Sequence, residues 1–216
     1  NFELIVVNDG SKDRTADVVK RFKEVKLIDN KLNHGKGYVV KQGVLSSKGD
    51  YVLFRDADLS TPIEETGKLM KYVKDFDVVI ASRAIEGANV KTLTHRKFFG
   101  RIFAFLVNFL AVPGINDTQC GFKLFNRKAG KDIFNKQKIN GWAFDVELLF
   151  LARKFGYKIK EVGVRWKHFD HEGVTPTMQS FKMLMEVLKI LHFKMKSLIW
   201  FCPTEYWNMF LIPFNF

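Results

Sequence analysis

The chain has 216 residues, 47% of them hydrophobic, which suffices for one good-sized core but excludes two comfortable domains. Its formal net charge of +12 favours anionic partners, namely nucleotide phosphates, an acidic membrane surface or nucleic acid, and composition does not choose among them. Cys120 and Cys202 lie far apart and match no metal-ligand or disulfide spacing, which indicates packing residues in a reducing compartment.

Residues 4–7 form a short apolar, β-branched run that predicts a buried strand. A polar turn at residues 8–11 leads into a predicted helix that ends near Lys23. Together they form the βα unit of a nucleotide-binding sheet, in which ligands bind beyond the carboxyl ends of strands. Asp9 lies at this edge, either as a ligand or as a turn residue beside Gly10. Since such a sheet has a strand before this one, we expect the first strand to be missing at the N-terminus.

The next strand is predicted at residues 25–28, and a basic, glycine-flanked loop at residues 33–37 follows it. Glycines let backbone N–H groups approach an anion, while Lys36 and the start of a helix ending near Ser46 add positive potential. The loop lacks the order of residues of a P-loop. It is a candidate phosphate site, with a simple turn as the alternative.

The central strand is predicted at residues 51–54, and it ends at two carboxylates, Asp56 and Asp58. Carboxylates at the end of a strand suit a hard divalent cation, Mg²⁺ or Mn²⁺, which is usually held by one or two carboxylates and by substrate phosphates. The substrate is therefore expected to carry a diphosphate. The alternative is that one Asp caps the helix that begins near Pro62, although Ser60 or Thr61 could do so.

After a helix predicted at residues 63–74, another apolar strand runs over residues 77–82 and ends at Arg83. A guanidinium is costly inside a sheet, so Arg83 must meet a partner at the same edge. That partner is either a phosphate group, which the guanidinium fork matches, or a carboxylate of Asp56 or Asp58.

Two further parts of the chain are predicted to lie at a membrane interface. The cations of residues 95–101 lead into an apolar helix over residues 102–115, for which a core helix is the alternative. Residues 178–196 predict an amphipathic helix with Met185 and Leu188 on its apolar side, which could pack on the sheet or lie on lipid. No signal peptide and no clean apolar run of 18 residues is evident, so we expect segments that lie on a membrane rather than cross it.

The segment 116–125 changes from a polar loop into an alternating strand, and residues 142–149 begin a helix. Asp145 and Glu147 fall in the first turn of that helix, where they either complement its dipole or serve an acceptor or catalytic site. A further strand is predicted over residues 158–166. The two histidines among residues 168–172 do not have the spacing of a common metal site.

Six motifs follow one another along the chain: Val-Val-Asn-Asp-Gly-Ser-Lys-Asp-Arg-Thr (6–15), Asn-His-Gly-Lys-Gly (33–37), Asp-Ala-Asp-Leu-Ser (56–60), Ser-Arg (82–83), Asp-Thr-Gln-Cys-Gly-Phe-Lys-Leu-Phe (117–125) and Trp-Ala-Phe-Asp-Val-Glu-Leu-Leu (142–149). The last two motifs are the specific ones. In this order the motifs resemble those of family 2 inverting glycosyltransferases. Within that family they resemble the polyprenyl-phosphate sugar transferases, and above all the dolichyl-phosphate β-glucosyltransferases.

The resemblance implies an α/β architecture of GT-A type, a Rossmann-like and mostly parallel sheet flanked by helices. Residues 1–166 would form the catalytic domain without its first strand, and residues 167–216 a segment of interfacial amphipathic helices. The expected activity is transfer of glucose from UDP-glucose to dolichyl phosphate with inversion, giving dolichyl β-D-glucosyl phosphate for protein N-glycosylation. Mg²⁺ or Mn²⁺ would be required, at the cytosolic face of the endoplasmic reticulum membrane.

The same resemblance assigns the site residues one by one. Asp9 would contact the uridine, and Asp56 and Asp58 the metal and diphosphate, while Lys36 is a phosphate-binding candidate from its own loop. Catalytic roles would fall to four residues: Asp58, Asp117, Arg83 and Arg96. Both arginines would bind phosphate groups, while Asp117 and Gln119 would lie close to the sugar and acceptor.

Two alternatives remain within this interpretation. One is a membrane-associated protein that binds a nucleotide sugar without turnover, and the other is a polyprenyl-phosphate transferase for mannose or N-acetylglucosamine. Nucleic acid is not an expected partner, because the aromatic residues cluster with apolar neighbours instead of lining a basic groove.

Overall fold

Strands and helices alternate along the described parts of the chain, residues 1–91, 112–167 and 185–190 of a computed structural model. The strands are β1 Leu4–Asp9, β2 Val25–Asn30, β3 Tyr51–Arg55, β4 Val78–Ser82, β5 Asn89–Lys91, β6 Phe122–Asn126, β7 Ile159–Gly163 and β8 Arg165–Lys167. The helices are α1 Thr15–Val19, α2 Lys36–Ser46, α3 Thr66–Met70 after a 3₁₀ turn at Ile63–Glu65, α4 Arg127–Lys136 and α5 Phe144–Lys154. Residues 185–190 are also helical.

Three of the five strand pairings in these parts are parallel, namely β1 with β2, β4 with β7 and β5 with β8. The four-stranded sheet has the order β3-β6-β4-β7, and β6 runs antiparallel to both of its neighbours. Arg55 therefore pairs with Phe122, and the start of β6 lies at the carboxyl end of β3. The loop that precedes β6 is brought to the same sheet edge as the residues that follow β3 and β4.

Both faces of this sheet are covered, as the continuous burial of β4 requires. Val78 and Ile80 face a core made with α2, α4, α5 and the segment 185–190, while Val79 and Ala81 face a second core with α3 and β7. In β6, Phe122 and Leu124 point to the second core and Phe125 to the first. Lys123 alternates to the same side as Phe125 and is fully buried there.

Several predicted boundaries differ from the observed ones. Helix α1 ends at Val19 and α3 at Met70, earlier than predicted, and α5 begins at Phe144 rather than at residue 142. The stretch over residues 158–166 is divided into β7, which pairs with β4, and β8, which pairs with β5 in another sheet. The change of partner occurs at Val164, whose N–H donates to the carbonyl of Ser82.

The six helical residues 185–190 pack against the first core. Val187 and Ile190 are buried in the first core, and Oε2 of Glu186 accepts a hydrogen bond from the N–H of Ala143. Met185 and Leu188, predicted to lie on the apolar side, are 45% and 48% exposed. Three predicted parts lie outside the described residues. They are the rest of the amphipathic helix, residues 102–111 of the apolar helix, and residues 198–216 of the interfacial segment 167–216. Within the described ones, no helix has the length and apolarity to cross a bilayer.

Candidate active site

Asp56 and Asp58 line a small cavity at the carboxyl end of β3. The other lining residues are Arg55, Ser60, Thr61, Gly121, Phe122 and Trp166. They come from three separate stretches, which meet because β6 runs antiparallel beside β3 and because β8 returns to the loop after Asp58. Both predicted metal ligands thus belong to one concave polar site.

The loop after Asp58 is held by one local hydrogen bond and by one from the distant strand β8. Oδ1 of Asp58 accepts from the N–H of Ser60 at 2.9 Å, and the carbonyl of Ser60 accepts from the N–H of Lys167 in β8 at 2.9 Å. Leu59 between them has a φ of 58°, in the left-handed region. The 3₁₀ turn that follows has Pro62 at its N-cap without a side-chain hydrogen bond, so the interpretation of an Asp as helix cap is wrong.

Asp56 lies between a lysine and a glycine. Its Oδ1 is 2.8 Å from Nζ of Lys36, and its N–H donates to the carbonyl of Gly121 at 3.0 Å. A β-carbon at position 121 would lie 2.0 Å from Oδ2 of Asp56, so only glycine leaves room for this carboxylate. The only trace of this requirement in the sequence is the glycine itself, within the motif 117–125.

The donor set at this edge fits a hard divalent cation. Asp56 is about one-third exposed at 32%, and Asp58 is also part-exposed. Among the described residues, at this edge or any other, no group of three or more His, Cys, Asp or Glu side chains converges, so the protein would supply only these two carboxylates. Two carboxylates with open surroundings are what Mg²⁺ or Mn²⁺ uses when water and substrate phosphates complete its coordination.

Lys36, the first residue of α2, keeps its charge in this site. Burial lowers the pKa of its ammonium, but the carboxylates of Asp145, Asp56 and Asp58 outweigh that effect and raise the pKa above its usual value. The indole ring of Trp142 lies 5.1 Å from Nζ, a cation–π distance. Lys36 is therefore a charged ammonium among acidic groups, and its present partner is Asp56.

Asp9 organises the glycine-flanked loop that precedes α2. Its two oxygens accept from the N–H groups of His34 at 2.7 Å and Gly35 at 3.0 Å. Gly10 beside it has a φ of 70°, and a β-carbon there would lie 2.6 Å from the backbone of Leu32. Asp9 is therefore a residue of the turn with Gly10, and it also holds the loop before α2 in place. The contact of Asp9 with uridine stays a prediction.

Arg83 and Asp117 form a bidentate pair across 34 residues of sequence. Nε of Arg83 lies 2.7 Å from Oδ2 and Nη2 lies 2.9 Å from Oδ1, while the N–H of Arg83 donates to Oδ2. Burial raises the pKa of Asp117, but the hydrogen bonds and charge of Arg83 hold it below its usual value, so the carboxylate is ionised. The suggested salt bridge from Arg83 to Asp56 or Asp58 is wrong, since Asp117 is the partner.

Glu161 and Trp166 complete the surroundings of this pair. Oε1 of Glu161 accepts from the N–H of Asp117 at 2.8 Å, and Oε2 accepts from the N–H of Asn116 at 3.0 Å. The Arg83 guanidinium lies 5.3 Å from the ring of Trp166, which also lines the cavity of the two aspartates. Trp166 is a site residue that sequence reasoning treated only as the end of a strand.

Gln119 and Cys120 follow Asp117 in the same loop. The N–H of Gln119 donates to Oδ1 of Asp117 at 3.2 Å, and its buried Nε2 meets no hydrogen-bond partner within the described residues. Burial raises the pKa of the Cys120 thiol to about 11, so it is a packing residue as predicted. Arg96 and Cys202 lie outside the described residues.

Asp145 is buried against Lys123 beneath the site. Its Oδ1 accepts from Nζ of Lys123, which also donates to the carbonyl of Cys120 at 2.7 Å. Glu147 accepts from the N–H groups of Lys138 and Ile139. Both carboxylates therefore have specific partners beyond the helix dipole. A lysine inside an apolar strand was the available signal for the pair, and it was not used.

Glu65, also missed, joins the 3₁₀ turn to β8. Its side chain is 2% exposed, and it pairs with Nζ of Lys68 at 2.7 Å and Nε of Arg165 at 2.5 Å. Together with the bond from Lys167 to Ser60, this contact holds Trp166 beside the loop of Asp58.

Residues 1–134 match the model of Glycosyl transferase family 2. The chain belongs to this family. A dolichyl-phosphate beta-glucosyltransferase of Trichomonas vaginalis is 42% identical over 201 residues, which cover 88% of this chain and 59% of that protein. The human dolichyl-phosphate beta-glucosyltransferase is 36% identical over 204 residues, covering 88% of this chain and 63% of that protein. These names confirm the predicted resemblance within family 2.

A solved structure shows the same fold. Glucosyl-3-phosphoglycerate synthase from Mycobacterium tuberculosis, crystallised with Mn²⁺ and UDP-glucose, superposes with a TM-score of 0.64 at 17% identity. The match covers 88% of this chain and 66% of that one. The predicted GT-A class, with helices flanking a sheet that has parallel strands, is confirmed.

Proposed function

We propose that this family 2 glycosyltransferase moves glucose from UDP-glucose to dolichyl phosphate with inversion, giving dolichyl β-D-glucosyl phosphate for protein N-glycosylation. The observation that carries the proposal is the position of Trp166 at this sheet edge. Trp166 lines the cavity of Asp56 and Asp58, and its ring lies 5.3 Å from the guanidinium of Arg83, which pairs with Asp117. The relatives that carry this activity in their names support the substrates. The chain spans 59 to 63% of the length of those two relatives.

Asp56 and Asp58 would hold Mg²⁺ or Mn²⁺. When bound, the metal would neutralise negative charge that develops on the diphosphate leaving group. The space that Gly121 leaves for the Asp56 carboxylate and the open, two-carboxylate donor set support this assignment. The structural neighbour that was crystallised with Mn²⁺ and UDP-glucose supports it as well.

The other site residues would bind and orient the two substrates. Asp9 would contact the uridine from the loop that it already organises, and Lys36 would contact the diphosphate. Arg83 and Arg96 would bind phosphate groups of the acceptor. Gln119, which has a buried amide nitrogen without a partner among the described residues, would lie close to the sugar.

Asp117 would position Arg83 rather than accept a proton. Both of its oxygens are bound to the guanidinium and its pKa is lowered, which makes it a weak base. The acceptor does not need a strong base, because a phosphate monoester has a second pKa of about 6 and is largely ionised at neutral pH. The phosphate oxygen would attack the anomeric carbon in line, and the bond to UDP would break on the opposite side.

The dolichyl acceptor requires a membrane, so we place the protein at the cytosolic face of the endoplasmic reticulum membrane. Residues 1–166 would form the catalytic domain, and residues 167–216, of which Val187 and Ile190 are buried in its first core, would form the part that contacts the membrane interface. The formal charge of +12 and the cations of residues 95–101 suit an anionic leaflet.

The test is product analysis with dolichyl phosphate, Mn²⁺ and three separate donors: UDP-glucose, UDP-N-acetylglucosamine and GDP-mannose. We expect a dolichyl phosphoglucose product from UDP-glucose, and none from the Asp58→Ala variant. A product from only one of the other two donors would show that the enzyme transfers that sugar and not glucose. UDP binding by calorimetry without any product would favour the non-catalytic alternative, and full turnover by Asp58→Ala would refute the metal assignment.

A further inference from the structure

The Lys36 ammonium contacts one oxygen of the Asp56 carboxylate, which the proposed metal also needs. Nζ lies 2.8 Å from Oδ1 of Asp56, and the two side chains are 21% and 32% exposed. We propose that Lys36 is an exchangeable cation: it neutralises Asp56 before the donor arrives and moves to the donor diphosphate when the divalent cation binds. This inference rests on the proposed function of Asp56 and Asp58.

Competition for Asp56 follows from the charges. An ammonium 2.8 Å from one oxygen of a carboxylate competes with a metal for the same negative charge, because it partly neutralises that charge and repels a second cation. Lys36 and Asp56 are both partly exposed, so their separation is less costly than that of a fully buried pair. The ion pair therefore weakens metal binding when no donor is present.

The surroundings leave the donor as the next partner of Lys36. Asp145, the other acidic group that acts strongly on Lys36, is fully buried and already paired with Lys123. Asp58 would be engaged by the same metal as Asp56. The diphosphate is the remaining anion within this proposed site, and its negative charge would compensate the loss of the Asp56 contact.

Only the side chain has to move. The backbone on both sides of Lys36 is fixed, since the N–H of Gly35 donates to Asp9 and the N–H of Gly37 donates to the carbonyl of Asn140 at 2.8 Å. A lysine has a flexible four-carbon stem, and the indole of Trp142 at 5.1 Å flanks its ammonium. Exchange thus needs rotamer changes and no rearrangement of α2.

The experiment measures Mn²⁺ affinity of the full chain from the electron paramagnetic resonance signal of free Mn²⁺, first alone and then with saturating UDP. The variant is Lys36→Gln. Lys41→Gln is the matched control, because Lys41 lies on the same helix and its Nζ donates to the carbonyl of Gln137 instead of a carboxylate of the site. The control removes the same charge and keeps the Asp56 ion pair.

If Lys36 exchanges between Asp56 and the diphosphate, Lys36→Gln should change the Mn²⁺ affinity in opposite directions without UDP and with UDP. Without UDP, Lys36→Gln should bind Mn²⁺ about fivefold more tightly than wild type, the order expected for losing one exposed ion pair. With UDP, it should bind Mn²⁺ about tenfold more weakly, since a charged contact to the diphosphate is lost. Lys41→Gln should follow wild type within about twofold in both arms.

An unchanged or weaker Mn²⁺ affinity of Lys36→Gln without UDP, including binding too weak to measure in both proteins, overturns the inference. Tighter binding in both arms overturns it as well, because Lys36 would then only block the metal. If wild type shows no stimulation of Mn²⁺ binding by UDP, the proposed function fails instead, whatever the variant does.

Discussion

Asp56 and Gly121 are fitted to each other so closely that a β-carbon at position 121 would lie 2.0 Å from the carboxylate of Asp56. The same two residues share a backbone hydrogen bond, in which the N–H of Asp56 donates to the carbonyl of Gly121 at 3.0 Å. The aspartate is short and its backbone is tied, so it has little freedom to withdraw from an added methyl group.

We therefore expect Gly121→Ala to displace the Asp56 carboxylate and to lower donor turnover by at least about tenfold, as misplacement of a site group by an ångström does. Thermal unfolding should change little by comparison, because Asp56 is a partly exposed surface group. Gly67→Ala is the control, since nothing lies within 4 Å of the position of its β-carbon. Equal turnover of Gly121→Ala and wild type would contradict the assignment of Asp56.

The Arg83–Asp117 pair should make stability depend on pH. The pKa of Asp117 is lower in the folded than in the unfolded chain, so the unfolded chain binds more protons in acid and stability rises with pH. The contribution is complete above the unfolded pKa of about 4 and is lost as the pH falls through the folded pKa.

Asp117→Asn should consequently cost about 2 kcal/mol of unfolding free energy at pH 7, a value reduced for the part-exposed arginine. The difference from wild type should shrink as the pH falls below about 4. Urea unfolding at several pH values measures the loss of unfolding free energy and its change with pH. Asp75→Asn is the control, because Asp75 is exposed. A difference that stays constant down to pH 2.5 would mean that the pair is not the origin of the effect.

The convergence of Asp56, Asp58 and Arg83 could be predicted because each follows an apolar strand, and strand ends meet at one edge. That Asp117 is the partner of Arg83 could not be predicted from the strand pattern. Asp117 reaches that edge only because β6 runs antiparallel between β3 and β4, and the pattern of a single strand does not show its direction. Asp117 itself was predicted as a site residue from the resemblance alone.

Burial of polar groups was the other limit of sequence reasoning. Hydrophobic alternation in β6 shows that Lys123 shares a side with Phe125, but a buried lysine needs a carboxylate, and Asp145 is 22 residues away on α5. In residues 185–190, apolar residues lie on two sides of the helix, Met185 and Leu188 on one side and Val187 and Ile190 on the other. The side that is buried depends on tertiary contacts, and packing against the first core buries Val187 and Ile190.

The buried Lys123–Asp145 pair should behave as a unit in unfolding. The two side chains are 0% and 2% exposed, so removing one partner leaves an uncompensated buried charge. We expect Lys123→Met and Asp145→Leu each to lower the unfolding free energy by about 3–5 kcal/mol. The double variant should cost only about 1–2 kcal/mol, mainly for the carbonyl of Cys120 that loses its donor.

Urea unfolding of the four proteins in a double-mutant cycle gives the coupling free energy directly. A sum of the single losses in the double variant would contradict the pairing. The exposed pair of Arg127 with Asp50, whose side chains are 52% and 89% exposed, provides the matched control, and its cycle should give a coupling below about 1 kcal/mol.

Leu59 is held in the left-handed region with a φ of 58°, between Asp58 and the buried Ser60. This conformation costs an L-residue about 1–2 kcal/mol, and a β-branched residue more, whereas asparagine adopts it more readily. Because Leu59 is 61% exposed, its replacement loses little apolar burial. We expect Leu59→Asn to raise the unfolding free energy by about 0.5–1 kcal/mol and Leu59→Val to lower it by about 1 kcal/mol or more.

The two variants should also differ in the site, because Leu59 carries the backbone from Asp58 to the hydrogen bond between Ser60 and Lys167. Leu59→Asn should keep donor turnover within about twofold of wild type, since it preserves the turn. Leu59→Val should lower turnover along with stability, because relief of its strain moves Asp58. Thermal unfolding and turnover of both proteins measure these changes, and a stability loss for Leu59→Asn as large as that for Leu59→Val would show that the leucine side chain, and not the backbone conformation, stabilises this loop.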